Sequence, residues 1–289
     1  MPGWQRKPYA RTTLHCQNCL PPSSKLSPIN ANNMGIPRLL IVRAPGTNCD
    51  AELAFAFERA GALVESIHVQ AWRADPKLLH NFQILAFPGG FSYGDDVAAG
   101  KILASQLSNF FQDSLREFRD EEKLILGVCN GFQTLLKSGL LIPPDEDGPL
   151  ATLTNNVQGY QDRWITMAAT PDKCVWLTGI DQFDAPTAHG EGNFQCRADW
   201  ICKGLEETGQ VVLRYVDKSG QPTEQFPANP NGSAAGIAGV CDASGRVLGL
   251  MPHPERNVLP TQHPHWTRRG LQKEGGGFAL FRNAVNYFM

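Results

Sequence analysis

Leu124-Ile-Leu-Gly-Val-Cys-Asn-Gly-Phe-Gln133 is the segment on which the reading of this chain turns. Leu124 to Val128 is an apolar run of strand length, and a helix is expected from about Gly131 to Ser138, with a stop at Gly139. Cys129 stands between them, flanked by Gly127 and Gly131. This is the Gly-x-nucleophile-x-Gly form of a strand–helix elbow, with a thiol as the reactive group. A thiol at a helix N-terminus also meets the positive end of the helix dipole, which favours the thiolate. A buried structural cysteine between incidental glycines would give the same five letters, so partners are needed.

The same alternation extends outward on the N-terminal side. Leu39 to Val42, Leu63 to His68 and Ile84 to Phe87 read as short apolar strands, and Asp50 to Ala60 reads as a helix closed by Gly61. Helical spacing of Ile102, Leu103, Leu107, Phe110, Phe111 and Leu115 predicts helix from Ala98 to Arg119. Alternating β and α elements imply an α/β fold with a mostly parallel central sheet and helices on both faces. The second half is richer in strand signals: Trp164 to Ala169, Val211 to Tyr215, Gly236 to Val240 and Val247 to Met251, before a closing helix from about Phe278 to Phe288. Ligands in such sheets bind beyond the carboxyl ends of the strands. The chemistry is therefore expected just after Phe87, Val128 and Met251.

Composition narrows the class. The chain has 289 residues, 42% hydrophobic and 19% charged, with a formal net charge of -2. That balance gives no electrostatic footprint for nucleic acid or an anionic membrane. No apolar run approaches the roughly 20 residues that span a bilayer. The eight cysteines lack framework spacing and read as reduced thiols in a cytoplasmic protein.

Residues 1–34 form a separate N-terminal extension, and residues 35–289 the folded domain. Met1 to Asn33 carries Arg6, Lys7, Arg11 and Lys25, no acidic residue and no sustained period. It reads as disordered chain or as translated sequence ahead of a start at Met34, and a transit peptide has the same composition. Cys16 and Cys19 make a single CxxC, short of the paired motifs of a structural zinc site. No metal site is expected.

The partners of Cys129 are found in Pro252-His253-Pro254-Glu255, just after the strand that ends at Met251. A cysteine nucleophile needs a histidine to take its proton and return it to the leaving amine, and the histidine needs an acceptor to fix its tautomer. On an extended segment, the i, i+2 spacing puts His253 and Glu255 on one side. Pro88-Gly89-Gly90 offers backbone N–H groups where a side chain would obstruct them, so the N–H groups of Gly90 and Asn130 are the natural oxyanion donors. Asp95 and Asp96 are read as capping a helix near Val97 rather than as metal ligands.

Together these residues resemble the class I (triad) glutamine amidotransferases. Gly127-Val-Cys-Asn-Gly-Phe-Gln133, Phe87-Pro-Gly-Gly-Phe-Ser-Tyr-Gly-Asp95, Ala188-His-Gly-Glu-Gly192 and Met251-Pro-His-Pro-Glu-Arg256 are similar to the glutaminase subunits of phosphoribosylformylglycinamidine synthase. Pro45-Gly-Thr-Asn-Cys49 and Asn229-Pro-Asn-Gly232 fit the same family, and the likeness runs from about Arg38 to Met289. The resemblance implies hydrolysis of glutamine to glutamate and ammonia, which a synthetase subunit uses with ATP in purine biosynthesis, and a small subunit that bridges the two. It implies Cys129 as the thioester-forming nucleophile, His253 as acid/base and Glu255 as its orienter. Gln133 is expected near bound glutamine, with core packing as its other reading. His189 and Glu191 are expected to shape the glutamine pocket or a partner-facing loop, the alternative being a second catalytic pair. No P-loop is present, so ATP and magnesium are expected on the synthetase and no cofactor on this chain. The competing readings are a stand-alone glutaminase or γ-glutamyl hydrolase of the same fold, and a catalytically silent regulatory subunit.

Overall fold

The computed structural model describes residues 35–289, and Gly35–Met289 forms one compact unit. The N-terminal extension and its Cys16–Cys19 pair lie outside the described residues. In chain order the first half runs β1 (Arg38–Arg43), α1 (Asp50–Ala60), β2 (Leu63–His68), α2 (Val69–Ala74), β3 (Ile84–Phe87), α3 (Lys101–Phe110), α4 (Gln112–Asp120), β4 (Leu124–Val128) and α5 (Asn130–Lys137). The second half runs β5 (Ala151–Asn155), β6 (Gln161–Ala169), β7 (Gln182–His189), β8 (Glu191–Cys196), α6 (Asp199–Glu207), β9 (Val211–Tyr215), β10 (Ile237–Cys241), β11 (Val247–Leu250), α7 (Trp266–Arg269) and α8 (Phe278–Asn286).

Nine strands form one sheet in the order β2-β1-β3-β4-β11-β10-β9-β6-β7, and β5 pairs with β8 apart from it. From β2 to β11 every pairing is parallel; from β11 to β7 every pairing is antiparallel. The β-rich second half thus extends the parallel sheet instead of building a separate layer. β3, β4 and β11 are buried along their whole length, as their unbroken apolar sequences require. Helix α1 closes one face with α8, where Phe57 meets Phe281 edge-on at 5.1 Å. Among the described residues no helix is long and apolar enough to cross a membrane.

Register brings the site together. Phe87 stands opposite Gly127 and Val128 opposite Leu250, so β3, β4 and β11 end side by side at their carboxyl ends. Gly131 seats the elbow helix there: a Cβ on it would lie 1.9 Å from the Phe87 carbonyl oxygen. Only glycine permits that approach.

Several expectations need correction. The single helix expected over Ala98–Arg119 is two helices, broken at Phe111 (φ -128°, ψ 5°). The break turns the Phe111 ring into the core, where it stacks on Trp72 at 4.0 Å. The helix begins after Gly100, so Asp95 and Asp96 do not cap one near Val97. Asp95 Oδ1 instead accepts from the Gly100 N–H at 3.2 Å, across the turn that precedes α3. The cysteines are not all reduced, because Cys196 at the end of β8 is disulfide-bonded to Cys202 in α6. Their Cα atoms are 5.8 Å apart, within the span a disulfide bridges. That proximity comes from the β8–α6 turn, and neither element announces itself in the sequence. Cys49, Cys129, Cys174 and Cys241 are free and buried.

Gly131→Ala is expected to cost at least ~2–3 kcal/mol, because the collision is with backbone that cannot rotate away. Chemical denaturation reads this directly. A variant as stable as the parent would mean that α5 is not seated against β3.

Candidate active site

Cys129 sits between β4 and α5 at φ 53°, ψ -106°, a left-handed conformation that non-glycine residues avoid. Outliers of this kind persist only where the surroundings over-determine them. Here the Cys129 N–H bonds the Leu250 carbonyl at 2.8 Å, and its own carbonyl accepts from Gln133 N–H at 3.1 Å. The thiol is therefore aimed by the sheet below and the helix ahead of it. Cys129 is 5% exposed.

His253 arrives from the end of β11, its N–H bonded to the Pro186 carbonyl of β7 at 2.8 Å. Its Nδ1 is 2.6 Å from Glu255 Oε1, and both residues are almost fully buried. The segment is not extended as expected: Pro254–Arg256 is a single 3-10 turn. The turn still faces the carboxylate to the ring, with Oε1 2.6 Å from Nδ1. Burial pulls the His253 pKa down, but the Glu255 carboxylate and the Cys129 sulfur outweigh it and hold the imidazolium well above its ordinary range. With Nδ1 occupied by Glu255, Nε2 remains for proton transfer.

Gly89 is the point of convergence. A Cβ placed there would lie 2.7 Å from His253 Cε1, 3.0 Å from Cys49 Sγ and 3.4 Å from Cys129 Cβ. The missing side chain is what allows the imidazole and the elbow thiol to close on the end of β3. In the sequence Cys49 is one letter of a loop motif and carries no signal of its own. It stands before the first residue of α1, is 2% exposed, and accepts from Arg256 Nη2 at 3.1 Å.

The structure also decides how the remaining candidates are grouped. Asn130 Nδ2 donates to Gln133 Oε1 at 2.9 Å and to Asp95 Oδ1 at 3.1 Å, while its Oδ1 accepts from the Ser92 N–H. Gln133 Nε2 donates to the Glu191 carbonyl at 2.5 Å. Both ends of the Gln133 amide are thus engaged within the protein, which favours its packing role. Burial raises the Asp95 pKa against the bonds from Gly100 and Asn130. Glu191 pairs with Lys137 and accepts from the Ala99 N–H at 3.2 Å. It does not meet His189, so the two form no second catalytic pair.

His189 faces inward from the end of β7 and is 3% exposed. The Asn156 amide is oriented by its own bonds: Oδ1 takes the Gly192 N–H at 2.9 Å and Nδ2 donates to the His189 carbonyl at 2.7 Å. Nδ2 also donates to the Gly159 carbonyl at 3.1 Å, so its two hydrogens are taken by carbonyls and His189 Nδ1 lies 3.2 Å from it. Burial first, and the charge of His253 second, push His189 down to about 3, so the ring is neutral.

Comparison with known proteins gives a consistent result. Residues 36–288 match the CobB/CobQ-like glutamine amidotransferase domain. The phosphoribosylformylglycinamidine synthase subunit PurQ of Dehalococcoides mccartyi is 45% identical over 252 residues, covering 86% of this chain and 97% of that protein. The PurQ subunit of Methanococcus maripaludis is 39% identical, covering 88% of this chain and 98% of that protein. Among solved structures, PurLQS from Thermotoga maritima contains a chain that superposes with a TM-score of 0.66 at 29% identity, covering 88% of this chain and all of that one.

A group buried neutral destabilises the fold as acid charges it in the unfolded chain. For His189 the unfolded state binds the extra proton between pH 6.5 and about 3, so stability present above 6.5 is lost as pH falls through that window. His189→Gln, which keeps a polar side chain of similar reach but cannot titrate, should flatten the melting temperature against pH there. Parallel curves for the two proteins would show that His189 is not held neutral.

Proposed function

We propose that this chain, which belongs to the glutamine amidotransferase family and within it to the PurQ subunits of phosphoribosylformylglycinamidine synthase, hydrolyses glutamine and delivers the ammonia to a synthetase subunit. The observation that carries the reading is the buried His253–Glu255 pair at 2.6 Å, facing the strained elbow thiol of Cys129.

In this mechanism His253 Nε2 takes the thiol proton and Cys129 Sγ attacks the side-chain amide carbon of glutamine. The charge that develops on the amide oxygen falls to two backbone donors. Asn130 is the first residue of α5, so its N–H has no acceptor within the helix. Around Gly90, the Phe91 N–H bonds the Gly46 carbonyl and the Gly89 carbonyl accepts from Asn48 and Cys49, which leaves the Gly90 N–H free of these bonds. His253 gives its Nε2 proton to the departing nitrogen, the C–N bond breaks, and ammonia leaves a γ-glutamyl thioester on Cys129. Water then attacks the thioester with His253 as base, releasing glutamate and restoring the thiol. Glu255 holds the ring in one tautomer throughout.

The partners are the synthetase subunit and a small bridging subunit, in keeping with the PurLQS assembly that contains the similar chain. ATP and magnesium belong to the synthetase, and this chain needs no cofactor for the thiol chemistry above. A cytoplasmic location accords with a role beside an ATP-dependent synthetase, and among the described residues the Cys196–Cys202 disulfide is the one bond that an oxidising compartment would favour.

Cys129→Ala should abolish glutamine-dependent synthesis by the assembled complex while leaving synthesis from added ammonium salt. Loss of both activities in a correctly assembled complex would show that Cys129 does more than make ammonia. His253→Ala should be about as damaging as Cys129→Ala, and Glu255→Gln less so, since the orienting acid is usually the mildest loss of a triad. Steady-state glutaminase rates rank the three variants.

A further inference from the structure

Glu255 is held by fewer bonds than its task suggests. Oε1 bonds His253, but Oε2 is buried without a hydrogen-bond partner. The position of the carboxylate therefore depends on the backbone of the Pro254–Arg256 turn. On one side that turn is fixed to β7, through the His253 N–H to the Pro186 carbonyl at 2.8 Å and Asn257 Nδ2 to the Asp184 carbonyl at 2.7 Å. The Gly277 N–H ahead of α8 bonds the Asn257 carbonyl at 2.9 Å, and toward α1 the tether is Arg256. Its Nη2 reaches Cys49 Sγ at 3.1 Å and Glu52 Oε1 at 3.4 Å, both at the start of α1.

We propose that Arg256 is a positioning residue for the reaction: by bonding Cys49 and Glu52 it locks the turn to α1 and so keeps Glu255 on His253. The proposal rests on the glutaminase reading above. Cys49 is the inner anchor. It is buried, its N–H bonds the Gly89 carbonyl at 3.2 Å, and its sulfur lies against the point at Gly89 where His253 and Cys129 also meet. A shift of Arg256 is thus transmitted to the reacting groups along two routes, through the turn to Glu255 and through Cys49 to the end of β3. The Glu255 carboxylate also lies within the electrostatic reach of the guanidinium. Burial lowers the Arg256 pKa, but Cys49, Glu255, Glu52 and Cys129 outweigh it, so the charge is retained.

The test uses the full chain, assembled with its synthetase for the rates and alone for the spectra. Arg256→Ala should lower kcat for glutamine hydrolysis roughly 10–100-fold with little change in KM, the cost of a slightly misplaced catalytic group. Added guanidinium ion should restore part of kcat. The proton NMR spectrum of the resting protein should lose the far-downfield N–H resonance of the His253–Glu255 bond in Arg256→Ala and keep it in Arg256→Lys, which retains a cation. Cys49→Ala, which leaves the arginine in place, should lower kcat in the same direction by a smaller factor and serves if Arg256→Ala does not fold. Full kcat in Arg256→Ala, or a downfield resonance unchanged in it, would overturn the proposal. The resonance needs no turnover: a parent protein that shows it but hydrolyses no glutamine even in the assembled complex would refute the function and leave the positioning role standing.

Discussion

The approach of α5 to the end of β3 is the constraint on which the site depends. A single hydrogen on Gly131 stands where any Cβ would meet the Phe87 carbonyl at 1.9 Å. Because the helix can come that close, its N-terminus lies level with the carboxyl ends of β3, β4 and β11. Cys129 is then forced into the left-handed region to join strand to helix, and the bond from its N–H to Leu250 holds it there. Strain at one residue is thus stabilised by contacts distributed over a sheet, a sheet-bound strand end and a helix.

Charge at this end of the sheet is arranged in layers. The imidazole of His253 has Glu255 on one nitrogen and sulfur near the other, so its protonated form survives burial. His189, a few residues along β7 from the Pro186 carbonyl that fixes His253, has no such compensation and stays neutral. Two buried histidines on neighbouring elements therefore take opposite protonation states, and the difference lies in whether a carboxylate accompanies the ring.

A second network surrounds the elbow from the other side. Asn130 joins Gln133, Asp95 and the Ser92 backbone, and Gln133 continues it to the carbonyl of Glu191 in β8. The Glu191 carboxylate returns to Lys137 and to the Ala99 N–H ahead of α3. The loop between β3 and α3, which carries Gly90, is by this means tied to the same helix that carries the nucleophile. The two backbone N–H groups proposed as oxyanion donors and the thiol thus share one support, as a preorganised site requires.

By itself the sequence determined the parallel half of the sheet, and it singled out Cys129, His253 and Glu255, which the fold brings to one end of that sheet. Unbroken apolar runs such as Ile84–Phe87 and Leu124–Val128 have no other stable use than a doubly covered strand, and a thiol between two glycines followed by a distant His-Pro-Glu has few chemical uses. Local pattern was silent where pairing supplies the stability. β7 carries Pro186, tolerated because it is the edge strand and bonds only β6. β8 is polar and broken by Gly192, and with α6 unseen the Cys196–Cys202 bond had no visible frame. Tertiary structure alone decided the turn at Pro254–Arg256, the division between α3 and α4, and the role of Cys49 and Arg256. Cys49 and Arg256 are far apart in the chain, and a hydrogen bond between such groups is a property of the packed molecule that no local pattern encodes.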